Sequence, residues 1–190
     1  MERKSKIIGL IGPSGVGKQY FKEAIKNHFD FKEPVVVSTR PRRVGEDNSR
    51  LQLSEKDFFD IQNKGEIVFT HQPFHKHWYG FLISSLNNQK NLLTEVHVDN
   101  INNFRQTFID RLLLIGLVAN NDYIHFRLNQ RGSESIHEKL IRLKLGESET
   151  AKINQNYRMG NIDDIYQINK YNSNILAKII FSRINNFIKN

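Results

Sequence analysis

The chain has 190 residues, of which 38% are hydrophobic and 25% charged, a balance that suits one globular domain with a sizeable core. It contains no cysteine, which excludes disulfides, thiolate metal sites and thiol nucleophiles. Lys and Arg number 28 against 20 Asp and Glu, so the net charge is +8 and an anionic partner is expected: nucleotide, sugar phosphate, nucleic acid or an acidic surface.

The basic start followed by Ile7–Gly12 has the outline of a signal peptide, but its apolar run is six residues long and ends in a glycine-rich turn, so it reads as a first strand. The longest uncharged apolar run, Leu112–Ala119, is too short to span a bilayer. A cytoplasmic protein with no membrane partner is the expectation.

Ile7 to Lys18 reads IIGLIGPSGVGK, an apolar strand and then a turn with the G-x-x-x-x-G-K spacing at Gly12, Gly17 and Lys18. Tyr20, Phe21, Ala24 and Ile25 follow at helical spacing, so a strand and a helix flank the loop as a phosphate loop requires. Glycines at 12, 15 and 17 let backbone N–H groups close on a phosphate chain, and the helix N-terminus adds partial positive charge. Gly12, Ser14, Gly15, Val16, Gly17, Lys18 and Gln19 are therefore the candidate ATP-binding residues, with Lys18 reaching the β- and γ-phosphates. Gln19 stands where a Ser or Thr normally holds Mg²⁺; its amide oxygen is the substitute ligand that the sequence offers.

Further along, Pro34–Ser38 is a β-branched strand, leading into a cationic loop over Thr39–Glu46. Ser54 with Asp57 caps a helix that Gly65 ends, and Ile67–Thr70 is a strand. An aromatic and histidine-rich stretch, His71–Phe81, follows; its His71, His75 and His77 lack the spacing of a zinc site and are expected in a cleft or in solvent. Leu92–Val98 and Leu112–Val118 are strands separated by a helix carrying Ile101, Phe104 and Phe108. A glycine-containing turn and a helix lie between Arg127 and Leu145, then a short strand near Ile165–Ile168 and a long amphipathic helix over Ile175–Ile188. The alternation predicts an α/β fold with a parallel sheet. Glu95, at the end of an apolar strand, is the candidate carboxylate for orienting Mg²⁺, with Asp99 second.

Taken together, GPSGVGK at 12–18, STRPRRVGE at 38–46, the SEKDFF helix with KGE at 64–66, WYG at 78–80, RLNQRG at 127–132 and LIRL at 140–143 resemble the guanylate kinase family over nearly the whole chain. The resemblance implies a P-loop parallel-sheet core flanked by helices (1–37 and 90–190), a small acceptor-binding lobe (38–89) and a mobile lid (127–145) in one domain. It implies phosphoryl transfer from ATP with Mg²⁺ to a phosphorylated small molecule, nominally GMP. In that family the arginines matching Arg40 and Arg43 hold the acceptor's phosphate, and those matching Arg127, Arg131 and Arg142 stabilise the phosphoryl group in flight, a task suited to the guanidinium fork. Tyr79, Glu95 and His97 complete the substrate-binding set, and Asn169 matches an adenine-side Asn.

The family's guanine-reading positions fall on Phe69, Phe81 and His97, and a phosphate-gripping Tyr falls near Arg50, so the phosphate grip is kept while carboxylates that would meet guanine N–H groups are gone, at about 1–3 kcal/mol for each donor left unpaired. The shortened EDNSRLQLSEKDFF stretch, FHKHWYG and Gln19 are similar to ribose 1,5-bisphosphate phosphokinases, whose acceptor has no base. A catalytically retired module that binds nucleotide or protein is the third reading. No nucleic-acid recognition motif accompanies the charge.

Overall fold

In chain order the elements are β1 (Ile7–Ile11), α1 (Lys18–His28), β2 (Val36–Ser38), β3 (Arg50–Gln52), α2 (Glu55–Asn63), β4 (Ile67–His71), β5 (Tyr79–Leu82), the single turn α3 (Ile83–Leu86), β6 (Leu92–Glu95), α4 (Ile101–Thr107), β7 (Leu112–Ala119), α5 (Asn121–Gln130), α6 (Ile136–Arg158), β8 (Asp164–Ile168) and α7 (Ser173–Lys189). The computed structural model describes residues 5–42, 50–73, 76–87, 90–130 and 135–189. Of the residues singled out above, Arg43, His75 and Arg131 lie outside the described residues.

Among the described residues the main sheet runs β6-β1-β7-β8, all parallel. Every residue of β1 and β7 is buried, as expected of strands covered by helices on both faces. Because side chains alternate, Ile8 and Leu10 join Phe21, Ile25, Ile180 and Ile184 on one face, while Ile7 and Ile11 join Ile101, Phe104, Phe108 and Ile153 on the other. Each such Ile, Leu or Phe taken out of water contributes about 1.5–3 kcal/mol. β6 stops at Glu95, earlier than the apolar run suggests, because the His97 ring accepts the Asp99 N–H and starts a 3-10 turn over Val98–Asn100.

A second, mixed sheet runs β3-β2-β5-β4. Its β2 opens at Val36, so it takes in residues that the sequence assigns to the core unit. Ser54 caps α2 by accepting the Asp57 N–H at 3.1 Å, and Phe58 is buried against Val37 and Ile67. The pairing of β4 with β5 slips between Val68 and His71, where Phe69 takes a φ of 53°. No helix among the described residues is long and apolar enough to cross a membrane.

Candidate active site

The loop between β1 and α1 passes so close to β7 that a Cβ at Gly12 would lie 2.6 Å from the Leu117 carbonyl oxygen. Gly17, at φ 105°, is the N-cap of α1 and supplies no side-chain cap, so the first-turn N–H groups face the loop. Lys18 Nζ folds back over this mouth, donating to the carbonyls of Gly12 (2.7 Å) and Pro13 (3.3 Å), with Glu95 at 3.7 Å.

Helix α6 closes the mouth from the opposite side. Arg142 Nη1 donates to Ser14 Oγ at 2.8 Å. Two turns further on the same face lies Glu149; burial pushes its carboxyl above the ordinary value against the pull of Lys18. Glu149 also lies 3.8 Å from His97 Nε2.

A cavity of about 220 Å³ is lined by Gly12, Ser14, Lys18, Glu95, His97, Arg142 and Glu149. A second of about 220 Å³ lies over the mixed sheet, lined by Lys22, Arg50, Tyr79, Gly80, Phe81 and Thr94 among others. His71, Pro73 and Glu95 line both, so the space at the phosphate loop and the space over the second sheet adjoin across these three residues and together form the cleft. A third cavity of about 260 Å³ is bounded by Val16, Gly17, Tyr20, Tyr123, Phe126, Arg127, Gln130 and Lys170.

A column of flat groups runs along the cleft wall. The Arg50 guanidinium lies 5.4 Å over the Tyr79 ring, Tyr79 stacks on His71 at 5.5 Å, and His71 stacks on His97 at 4.4 Å. Burial, with the charge of His97 adding, pushes the His71 imidazole down to about 4. Burial also lowers His97, with Asp99 opposing. Lys22 bonds Glu33 at 2.6 Å and stands 3.7 Å from Glu95. Burial alone raises Glu33, yet Lys22 and Lys26 hold it below the usual carboxylate value.

The sequence candidates divide. Gly12, Ser14, Lys18, Glu95, His97 and Arg142 gather round the first cavity, Tyr79 lines the second, and Val16, Gly17 and Arg127 line the third. Gly15, at φ 90°, backs against Leu128 and Ile124 of α5. Arg40 lines none of the three cavities; its Nη1 donates to the Pro41 carbonyl at 3.0 Å. Asn169 is built into the turn after β8, where its Oδ1 accepts the Tyr171 N–H at 2.9 Å. Phe69, aligned with a base-reading position, points into the core, 4.2 Å from the Phe104 ring.

The side chains proposed for Mg²⁺ do not come together. The Gln19 amide donates to Glu23 at 2.9 Å on the exposed face of α1, and Glu95 lies between two lysine ammoniums. No group of three His, Cys, Asp or Glu among the described residues could hold a metal ion. Glu149 and Lys22 were missed by sequence reasoning, whereas His71, expected in a cleft or in solvent, lines the cleft, and Arg50, near which a phosphate-gripping position falls, lines the second cavity. The seven-residue step from Arg142 to Glu149, which keeps both on one helix face, was the available signal for the first.

No protein-family model matches the chain. A guanylate kinase of Lactobacillus acidophilus is 32% identical over 150 residues, covering 75% of this chain and 72% of that one. A guanylate kinase of Prochlorococcus marinus subsp. pastoris is 29% identical over 162 residues, covering 82% and 88%. The crystal structure of guanylate kinase from Anaplasma phagocytophilum has the same fold, with a TM-score of 0.67 at 18% identity over 96% of this chain and 85% of that one. A phosphate loop facing a cleft over a second, mixed sheet, together with sequence identity spread over most of both chains, leads to one assignment: the chain belongs to the guanylate kinase family.

Proposed function

We propose that the chain moves the γ-phosphoryl group of ATP to a phosphate-bearing acceptor, GMP being the acceptor that the names of its relatives supply. The observation that carries this reading is the shared lining of the first two cavities by His71, Pro73 and Glu95, which sets the space at the phosphate loop directly beside the space over the second sheet. A phosphate oxygen of the acceptor attacks the γ-phosphorus, the bond to the β,γ-bridging oxygen breaks, and ADP leaves.

In this reading the nucleotide base lies in the third cavity, against Tyr123, Phe126 and Arg127, and its phosphates wrap the loop from Gly12 to Lys18. Lys18 exchanges the carbonyls of Gly12 and Pro13 for phosphate oxygens. Arg142, fixed beside the loop by Ser14, meets the charge that builds on the transferring group. Residues 38–89 act as the acceptor lobe and 127–145 as the lid; Arg131 is assigned to the lid, and Arg40 and Arg43 to the acceptor phosphate, on the family resemblance. No step is routed through a metal ion, because the described side chains do not assemble a site for one.

A second reading, ribose 1,5-bisphosphate as acceptor, is favoured by the imidazoles of His71 and His97 lining the cleft. The test is an ADP-release assay with GMP, dGMP, other nucleoside monophosphates and ribose 1,5-bisphosphate. ADP formation that depends on one of these supports the proposal; an ADP rate equal with and without every acceptor overturns it.

A further inference from the structure

We infer that His71 is the residue that selects the acceptor, and that the acceptor is held by its phosphate and sugar hydroxyls with nothing gained from a guanine base. The inference rests on the reading of the second cavity as the acceptor site.

Position 71 owes its place to the irregularity in β4. In an unbroken strand, residues 67, 69 and 71 share one face. Here the register slips after Val68 and Phe69 adopts a positive φ, a conformation that a phenylalanine seldom takes. The Phe69 ring turns under the sheet to Phe104 and Phe108, at 4.2 and 5.8 Å, and the side chain that β4 finally offers to the cleft is an imidazole.

That imidazole is held firmly. Tyr79 and His97 stack on its two sides with tilts of 19° and 16°. Nδ1 is turned inward, 3.4 Å from the Phe69 carbonyl oxygen and 3.3 Å from Nδ2 of Asn100, which is itself buried and donates to the same carbonyl at 2.7 Å. Nε2 is therefore the nitrogen left for the cleft. If Nδ1–H donates to Phe69, Nε2 accepts; if Nδ1 accepts from Asn100, Nε2–H donates. A hydroxyl is served by either tautomer, because it donates and accepts. The adjacent N1–H and amino donors of guanine are served by one tautomer and at one atom only.

The two carboxylates that line this cavity, Glu33 and Glu95, both face lysines. Glu33 bonds Lys22 and Lys26 at 2.6 and 2.8 Å, and Glu95 stands 3.7 Å from both Lys18 and Lys22. Lys22 and Arg50 supply positive charge for a phosphate in the same cavity. The depressed pKa of His71 agrees with this role, since it keeps the ring a neutral hydrogen-bonding group near pH 7.

The experiment is calorimetric titration of the full chain with GMP and with ribose 5-phosphate, repeated with His71→Glu and His71→Gln. Wild type is expected to bind the two within about threefold of each other, and H71E to shift that ratio toward GMP by about tenfold or more, with H71Q keeping the wild-type ratio. A wild-type preference for GMP of about tenfold or more overturns the inference by itself, whether or not the variants fold. So does an unchanged ratio in folded H71E, or the absence of binding by either compound. Titration of the same sample with a non-hydrolysable ATP analogue separates the two levels: ATP binding without the expected acceptor ratio removes the inference, and no ATP binding removes the functional reading beneath it.

Discussion

Arg142 and Ser14 fasten the long helix α6 to the phosphate loop through a hydrogen bond of 2.8 Å from Nη1 to Oγ. A guanidinium is thereby aimed at the mouth of the loop before any phosphate arrives, and it costs little reorganisation to use. Arg142→Lys keeps the charge but loses the fork, so kcat should fall about tenfold or more with a smaller change in KM for ATP. Steady-state kinetics of the variant, with circular dichroism as the fold control, check this.

Gly12 tests how tightly the loop is built. An added Cβ meets the Leu117 carbonyl oxygen at 2.6 Å and the Val16 side chain at 2.8 Å, and the first of these is backbone and cannot yield cheaply. Gly12→Ala should destabilise the fold by about 1–3 kcal/mol and weaken ATP binding as the loop is pushed off β7. Denaturant unfolding and nucleotide titration read the two effects separately.

His71 makes stability depend on pH. Its folded value is about 4, against 6.5 for an ordinary imidazole. Above about 6.5 the group is neutral in both states and contributes no slope. Between about 6.5 and 4 the unfolded chain binds a proton that the native state refuses, so stability falls as pH falls, by up to roughly 3 kcal/mol. His97, lowered for the same reason, adds to the trend. Urea unfolding at pH 7.5, 6 and 5 should show that His71→Gln has a shallower loss than wild type.

Asp163 ties the far edge of the core together. Its Oδ2 accepts the Leu114 N–H at 2.7 Å and the Arg105 Nη2–H, while Arg105 Nε donates to the Asn161 carbonyl at 2.8 Å. Asp163→Ala leaves the Arg105 Nη2–H and the Leu114 N–H without their acceptor, and should cost about 2–4 kcal/mol in chemical denaturation. Turnover per folded molecule should be close to wild type, since the carboxylate lines none of the three cavities.

Much of the core could be read from the residues. A glycine spacing that fits a phosphate chain dictates its own flanks, and runs such as Leu112–Ala119 have no polar face to expose, so they become inner parallel strands. The Ser54 and Asp57 pair marked the start of α2 for the same local reason. The second sheet was less legible. β3 and β5 span three and four residues, and Arg50–Gln52, though it alternates polar and apolar side chains, is too short a run to stand out as a strand. Helix α5 buries only Ile124 and Leu128 among polar neighbours, too narrow an apolar stripe to stand out. The turn of β4 at Phe69 had no glycine to announce it, and that turn decides which side chain enters the cleft. The sequence left His71 between cleft and solvent and placed Arg50 only near a phosphate-gripping position, because tertiary stacking on Tyr79 is what brings both to the cavity.

The central claim is that a phosphoryl group crosses the cleft between the phosphate loop and the second sheet. Acceptor-dependent ADP release, measured side by side for wild type and Lys18→Ala, tests it most directly. The account predicts turnover with a phosphorylated acceptor that drops by about a hundredfold or more in the variant while its circular dichroism and melting temperature hold. Equal ADP release by the two proteins, or none above the acceptor-free rate in wild type that binds ATP, would contradict it.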